Sequence, residues 1–233
     1  GQLEKFKKKA MEKHKEIMGI ALLPPEKKDS TSNDVLVLID DTQDLKEDKF
    51  LFRDKIAASL DKIAKEIDQH LKPQALILTE LREACFDGKY ELINLISYSF
   101  FVYDVKDLLS ALKVSEIHRS MVIKKFEKYV VSYVAVGSLF RGDARSNDID
   151  VAVVIDDTDV KKMNRLELRD KLGAIIRSMG YEAATIAGVK KEFHIQVYIL
   201  TDFWEAIKEA SPVIFTFLRD GVPLYDRGIF MSW

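Results

Sequence analysis

"DVLVLIDDT", Asp34–Thr42, and "DVAVVIDDT", Asp150–Thr158, share seven of nine residues and stand 116 residues apart in a chain of 233. "FRDKIAASL" from Phe52 and "LRDKLGAII" from Leu168 keep that spacing of 116. Farther on, "LILTELREA" from Leu76 and "YILTDFWEA" from Tyr198 are 122 apart, as are "VYD" ending at Asp104 and "LYD" ending at Asp226. Two constant spacings separated by one small insertion signal an internal duplication. Shared patterning would repeat the apolar positions, but hardly "IDDT", "RDK" and "LT" in order.

The duplication divides the chain into a first unit over residues 1–104, a connecting helical segment over 105–129 and a second unit over 130–233. Val105 to Tyr129 has no Gly or Pro, and its apolar residues recur at helical spacing. The second unit is expected to hold a strand over Tyr129–Val136, a loop, and a strand over Ile149–Ile155. A long helix over about Val160–Met179 and a strand over Phe193–Leu200 follow. Thr201 then reads as an N-cap, and Gly221 as the stop of a later helix. Strands alternating with helices predict an α/β (α+β) fold: tandem units, each a small mixed sheet packed with helices. "DVAVVID" is apolar on both faces, which predicts a central strand.

Composition narrows the function classes. Charged residues are 32% and apolar ones 47%, with a formal net charge of −2, so bulk charge does not suit the chain to coat nucleic acid. A single cysteine, Cys85, excludes an internal disulfide framework and reads as a packed thiol. No apolar run is long enough to span a bilayer, and "GQLEKFKKKAMEKHKE" lacks the apolar core of a signal peptide. A cytoplasmic protein without membrane partners is the expectation.

The chemistry concentrates between Val136 and Asp156, "VGSLFRGDARSNDIDVAVVID". Side chains alternate along a strand, so Asp148 and Asp150 share a side. Two close carboxylates repel unless a cation lies between them, and Mg²⁺ takes oxygen ligands and phosphates. Gly137 permits close backbone approach, and Ser138 offers a hydroxyl and an N–H to phosphate oxygens. Arg141 and Arg145 add charge-assisted contacts to a polyphosphate. The set suits phosphoryl or nucleotidyl transfer, in which a protein mainly positions and neutralises.

"GSLFRGDARSNDIDV" resembles the signature of the DNA polymerase β superfamily of nucleotidyltransferases. That signature is a hydrophobic residue with Gly-Ser, a spacer of nine or more residues, and Asp-hydrophobic-Asp-hydrophobic. The loop is most similar to those of minimal nucleotidyltransferases, and the resemblance covers about the second half of the chain. It implies that Asp148 and Asp150 bind Mg²⁺ (or Mn²⁺), and that Gly137 and Ser138, assisted by Arg141 and Arg145, hold an NTP, with ATP favoured. It implies transfer of an NMP to an acceptor hydroxyl with release of pyrophosphate. The acceptor is left open among a small molecule, a protein and a nucleic acid end. A homodimer or a small helical partner protein is possible by analogy. The family pattern also has a third carboxylate on a later strand, where this chain has Gln196. Gln cannot act as a base. Glu192 or His194, on the same face, would substitute for it, and His194 is a candidate base with an equally ordinary reading as a half-buried strand residue.

Under an ungapped spacing of 116 the first unit has Ala21 and Leu22 at the places of Gly137 and Ser138, and Ser32 at that of Asp148. Asp34 still matches Asp150, and at a spacing of 122 Gln74 matches Gln196. The first unit therefore reads as a degenerate, catalytically dead copy. The competing function is a catalytically inactive nucleotide-binding or scaffold protein. Asp40, Asp41, Asp156 and Asp157 occur in both copies and read as turn or cap residues. Lys190 and Lys191 read as a solvated turn, and the aromatic runs "YSFFVYD" and "VIFTFLRDG" as core.

Overall fold

The computed structural model describes residues 1–136 and 148–228. The first unit runs α1 (Gln2–Lys13), β1 (Ile17–Leu22), β2 (Asn33–Ile39), α2 (Lys49–Ile67), β3 (Leu71–Ile77), α3 (Leu78–Phe86), α4 (Glu91–Ser97) and β4 (Phe100–Asp104). The second repeats the order: α5 (Leu108–Phe126), β5 (Val130–Val136), β6 (Asp148–Ile155), α6 (Arg165–Ala187), β7 (Glu192–Ile199), α7 (Leu200–Lys208), α8 (Pro212–Asp220) and β8 (Gly221–Asp226). Each unit builds a four-stranded mixed sheet, ordered β3-β2-β1-β4 and β7-β6-β5-β8. In both, the second strand is parallel to the third and antiparallel to the first.

The likeness extends to irregularities. β1 slips against β2 between Ile17 and Gly19, and β5 slips against β6 between Val130 and Ser132. The pairings with β4 and β8 slip at matching places, after Ile20 and after Tyr133. Bulges are built into a sheet rather than accidental, so their repetition supports a common plan.

The pairing corrects one alignment. Ala21 pairs with Leu36, and Val134 pairs with Ala152, so Ala21 is the counterpart of Val134 and not of Gly137. The spacing in the first strand is 113, not 116, because the loop after it is three residues shorter in the first unit. At this spacing Pro24 and Pro25 stand at the places of Gly137 and Ser138. Proline has no N–H to offer a phosphate.

The repeated letters have structural work. Asp40 accepts from the Thr42 N–H (2.9 Å) and hydroxyl, and Asp156 accepts likewise from Thr158 (2.9 and 2.7 Å). Asp41 accepts from the Thr79 N–H (3.1 Å) and hydroxyl, and Asp157 accepts from the Thr201 hydroxyl (3.0 Å). β2 and β3 run parallel, so "IDDT" past one strand meets "LT" past the other, and the same holds for β6 and β7. These aspartates are turn and tether groups, as their presence in both copies implied.

Boundaries follow the local chemistry. Asp48 caps α2, accepting from the N–H groups of Phe50 and Leu51 (2.9 and 3.1 Å). Asn164, at the same place in the second unit, caps α6 through the Glu167 N–H (2.8 Å). This cap moves the start of α6 to Arg165, and the helix continues beyond Met179 to the left-handed Gly188 at φ 69°. Thr201 is not a cap: α7 begins at Leu200, and the Thr201 hydroxyl goes to Asp157. Gly221 does follow α8, but at φ −71° it is no left-handed stop. It is glycine because a Cβ there would meet the Phe217 carbonyl oxygen at 2.2 Å.

The two units share one core. Leu36, Leu78, Leu81 and Ile93 of the first unit and Tyr133, Val151 and Val153 of the second belong to a single apolar cluster through α5. Ile20, Val37 and Leu60 form a second cluster with α1 and α2; Val154, Phe203 and Ile214 form a third. α1 buries two residues, Phe6 and Ala10, whereas α5 buries ten, because α5 packs against both α4 and its own sheet. His118 on α5 is completely buried; its Nε2–H donates to the Ile176 carbonyl (2.8 Å) and Nδ1 accepts from the Tyr133 hydroxyl (2.7 Å). Burial pushes its pKa down to about 4. Cys85 is packed in the core, and burial pushes its thiol up to about 12. The aromatic runs divide: Phe217 is buried, but Tyr98, Phe100 and Phe215 are exposed. Among the described residues no helix is long and apolar enough to cross a membrane.

Candidate functional site

The start of β6 carries the site. Ile149, Val151, Val153 and Ile155 point into the core under α5 and α6, which turns Asp148 and Asp150 to the opposite face. β7, parallel to β6, is an edge strand, and its Phe193, Ile195 and Val197 pack towards the same core. Glu192, His194 and Gln196 therefore share the face of the aspartates, and all three are exposed. The register sets Asp148 beside Glu192 and Asp150 beside His194.

Asp148, Glu192 and His194 each bring one ligand atom into a group lying within 4.8 Å of one another. His194 Nε2 is 3.2 Å from Glu192 Oε2 and 3.6 Å from Asp148 Oδ2. These side chains keep 48% (Asp148), 75% (Glu192) and 46% (His194) of their surface exposed, so the group is open to solvent and to a ligand. Two carboxylates and an imidazole are a donor set able to hold a metal ion. Asp150 is half-buried and outside that group of atoms. Burial raises its pKa first, Asp148 adds to the rise, and His194 opposes it. A carboxylate whose charge is disfavoured in this way gains from a cation placed beside it.

The structure thus brings together Asp148, Asp150 and His194 of the expected residues. Gly137, Ser138, Arg141 and Arg145, expected to hold the nucleotide, lie outside the described residues, as does Asp143. Glu192 was legible in the sequence only as a stand-in for the missing third carboxylate. Its place beside Asp148 depends on the β6–β7 register, which no local pattern states. Lys191 is not simply solvated, because its ammonium lies 3.2 Å from Asp107.

At the corresponding places the first unit has Ser32, His70, Asp34 and Lys72. Asp34 is in register with Lys72, and the Gln74 amide donates to it at 3.5 Å. No protein-family model matches this chain, and no curated protein or solved structure matches it either.

Proposed function

We propose that the second unit is a metal-dependent nucleotidyltransferase of the DNA polymerase β type, moving an NMP from an NTP to an acceptor hydroxyl with release of pyrophosphate. The observation that carries this reading is the polar face formed by Asp148, Asp150, Glu192 and His194 at the mouth of β6, directly after the Gly-Ser loop motif. Asp148 and Asp150, joined by Glu192, would hold the cation; three oxygen donors favour Mg²⁺ or Mn²⁺. When bound, the ion supplies positive charge for the triphosphate. The acceptor oxygen forms a bond to the α-phosphorus as the bond from that phosphorus to pyrophosphate breaks. His194 Nε2 takes the acceptor proton in place of the carboxylate that Gln196 lacks. Gly137, Ser138, Arg141 and Arg145 hold the triphosphate, with ATP favoured, and the first unit is a dead copy.

The test is incubation of the protein with Mg²⁺ or Mn²⁺, each α-labelled NTP and a cell extract as acceptor source. Label transfer lost in the Asp148→Asn, Asp150→Asn double variant supports the reading, and the labelled species names the acceptor. A second reading, a nucleotide-binding or scaffold protein without turnover, draws on Gln196, an amide on the face where the motif expects an acid. Saturable NTP binding with no transfer selects it; neither binding nor transfer sinks both.

A further inference from the structure

A cleft of about 360 Å³ lies between α6 and the edge strand β7. Glu192 and His194 line its strand side, and their side chains turn to the other face of β7, where the group that can hold a metal lies. Three further lining residues are cationic: Arg177 on α6, and Lys190 and Lys191 on the turn into β7. Lys191 is held by Asp107 at 3.2 Å. Arg177 and Lys190 are exposed and have no carboxylate partner among the described residues. Tyr181, one helical turn after Arg177, exposes 80% of its surface at the same cleft. Gly180 lets α6 pack close on β7, because a Cβ there would meet the Ile195 side chain at 2.2 Å.

The first unit is an internal control. Its α2 spans 19 residues against 23 for α6, and the spacing between copies grows from 116 to 122 across this connection. The place of Arg177 is held there by Asp61, that of Gly180 by Ala64 and that of Tyr181 by Lys65. Arg177, the exposed ring of Tyr181 and the longer helix thus have no counterpart in the first unit.

We infer that this cleft binds a phosphate group carried by the acceptor, with a planar ring of that acceptor resting on Tyr181. Arg177 and Lys190 supply charge-assisted hydrogen bonds to the phosphate, and the tyrosine face accepts stacking from any base or flat ring. β7 is the edge strand beside β6, so the acceptor approaches the aspartates from that edge of the sheet. The inference rests on the nucleotidyltransferase reading of the neighbouring face and narrows its acceptor to a phosphate ester. The source of that ester is a free nucleotide or a single-stranded RNA.

The test is an amide NMR titration in EDTA, without NTP, using uridine 5′-monophosphate in one arm and hexauridylate RNA in the other. Saturable shifts at residues 177–194 are expected, and the probe that saturates at lower concentration identifies the source. The Arg177→Glu, Lys190→Glu double variant changes only exposed side chains, so it should fold, and it should bind roughly tenfold more weakly. Absence of saturable shifts with both probes, or equal affinity in the double variant, overturns the proposal. Binding is read without turnover. Shifts that persist in a protein with no transferase activity would therefore leave the cleft standing and remove the transferase reading instead.

Discussion

The two units have the same strand order, the same pairings and the same bulges, yet only one presents an acidic face. In the second unit Asp148 and Glu192 share one register position, and Asp150 and His194 the next but one. In the first, Ser32 and His70 replace the first pair, and Asp34 is matched with Lys72. Asp34 lies in register with a lysine and accepts from the Gln74 amide, whereas Asp148 and Asp150 lie in register with Glu192 and His194. The fold tolerates both because these positions lie at the solvent end of the strands, beyond the core. A sheet plan is thus retained under packing constraints that do not reach its mouth.

The sharpest way to break this contrast is to remove the aspartates unit by unit. Asp148→Asn is expected to lower label transfer by more than about a hundredfold, since loss of even an outer-sphere partner of a metal commonly costs ~10–100-fold. Asp34→Asn should leave it unchanged. Equal losses from the two variants would show that the units share the chemistry.

The next largest effect concerns α5. Glu116 is 2% exposed and accepts two hydrogen bonds from Arg119 (2.8 and 2.6 Å), where α5 meets α4. Glu116→Ala strands the Arg119 charge and should destabilise the chain by about 3–5 kcal/mol in urea unfolding. One cooperative transition is expected for the wild type because the core is shared. Two separate transitions would show that the units fold independently.

His118 makes the second unit acid-sensitive. Its folded pKa lies near 4 against 6.5 unfolded, so the unfolded state binds the proton first. Stability is therefore full above pH 6.5 and declines as pH falls towards 4, by about 3 kcal/mol in all. Urea midpoints measured across that range check this. A flat profile would mean that His118 is charged in the folded state. At the place of His118 the first unit has Lys5, which is exposed, so α1 contributes no such dependence.

The smallest predicted effects test likeness rather than difference. Asp41→Ala and Asp157→Ala each remove the tether to a threonine after the neighbouring strand. Each should cost about 1–2 kcal/mol, within error of the other. A cost confined to one of them would show that the repeated letters serve different ends.

Much of this was legible in the sequence because duplication prints twice. "IDDT", "RDK" and "LT" recur in order, and their recurrence gave two units of one plan before any strand was placed. The alternation of Asp148, Ile149 and Asp150 likewise gave a shared carboxylate face, since a strand has a period of two. What local pattern did not carry was anything set by pairing across strands. The three-residue difference that moved Ala21 from Gly137 to Val134 lies in a loop, where the chain is free to lengthen without disturbing any apolar period. Thr201 looked like a cap because a threonine before a helix usually is one. Its hydroxyl instead answers Asp157, a residue 44 positions earlier.

The sequence alone determined the duplication, the alternation of elements and the aspartate pair, because these depend on periodicities and on residues near one another in the chain. Only the tertiary structure decided that Glu192 and His194 join Asp148, that a cationic cleft opens beside them, and that α5 is buried on two sides. Each of these depends on which strands become neighbours and on which helix fills the space between two sheets. Those choices are made by packing the whole core at once, and no short stretch of residues contains them.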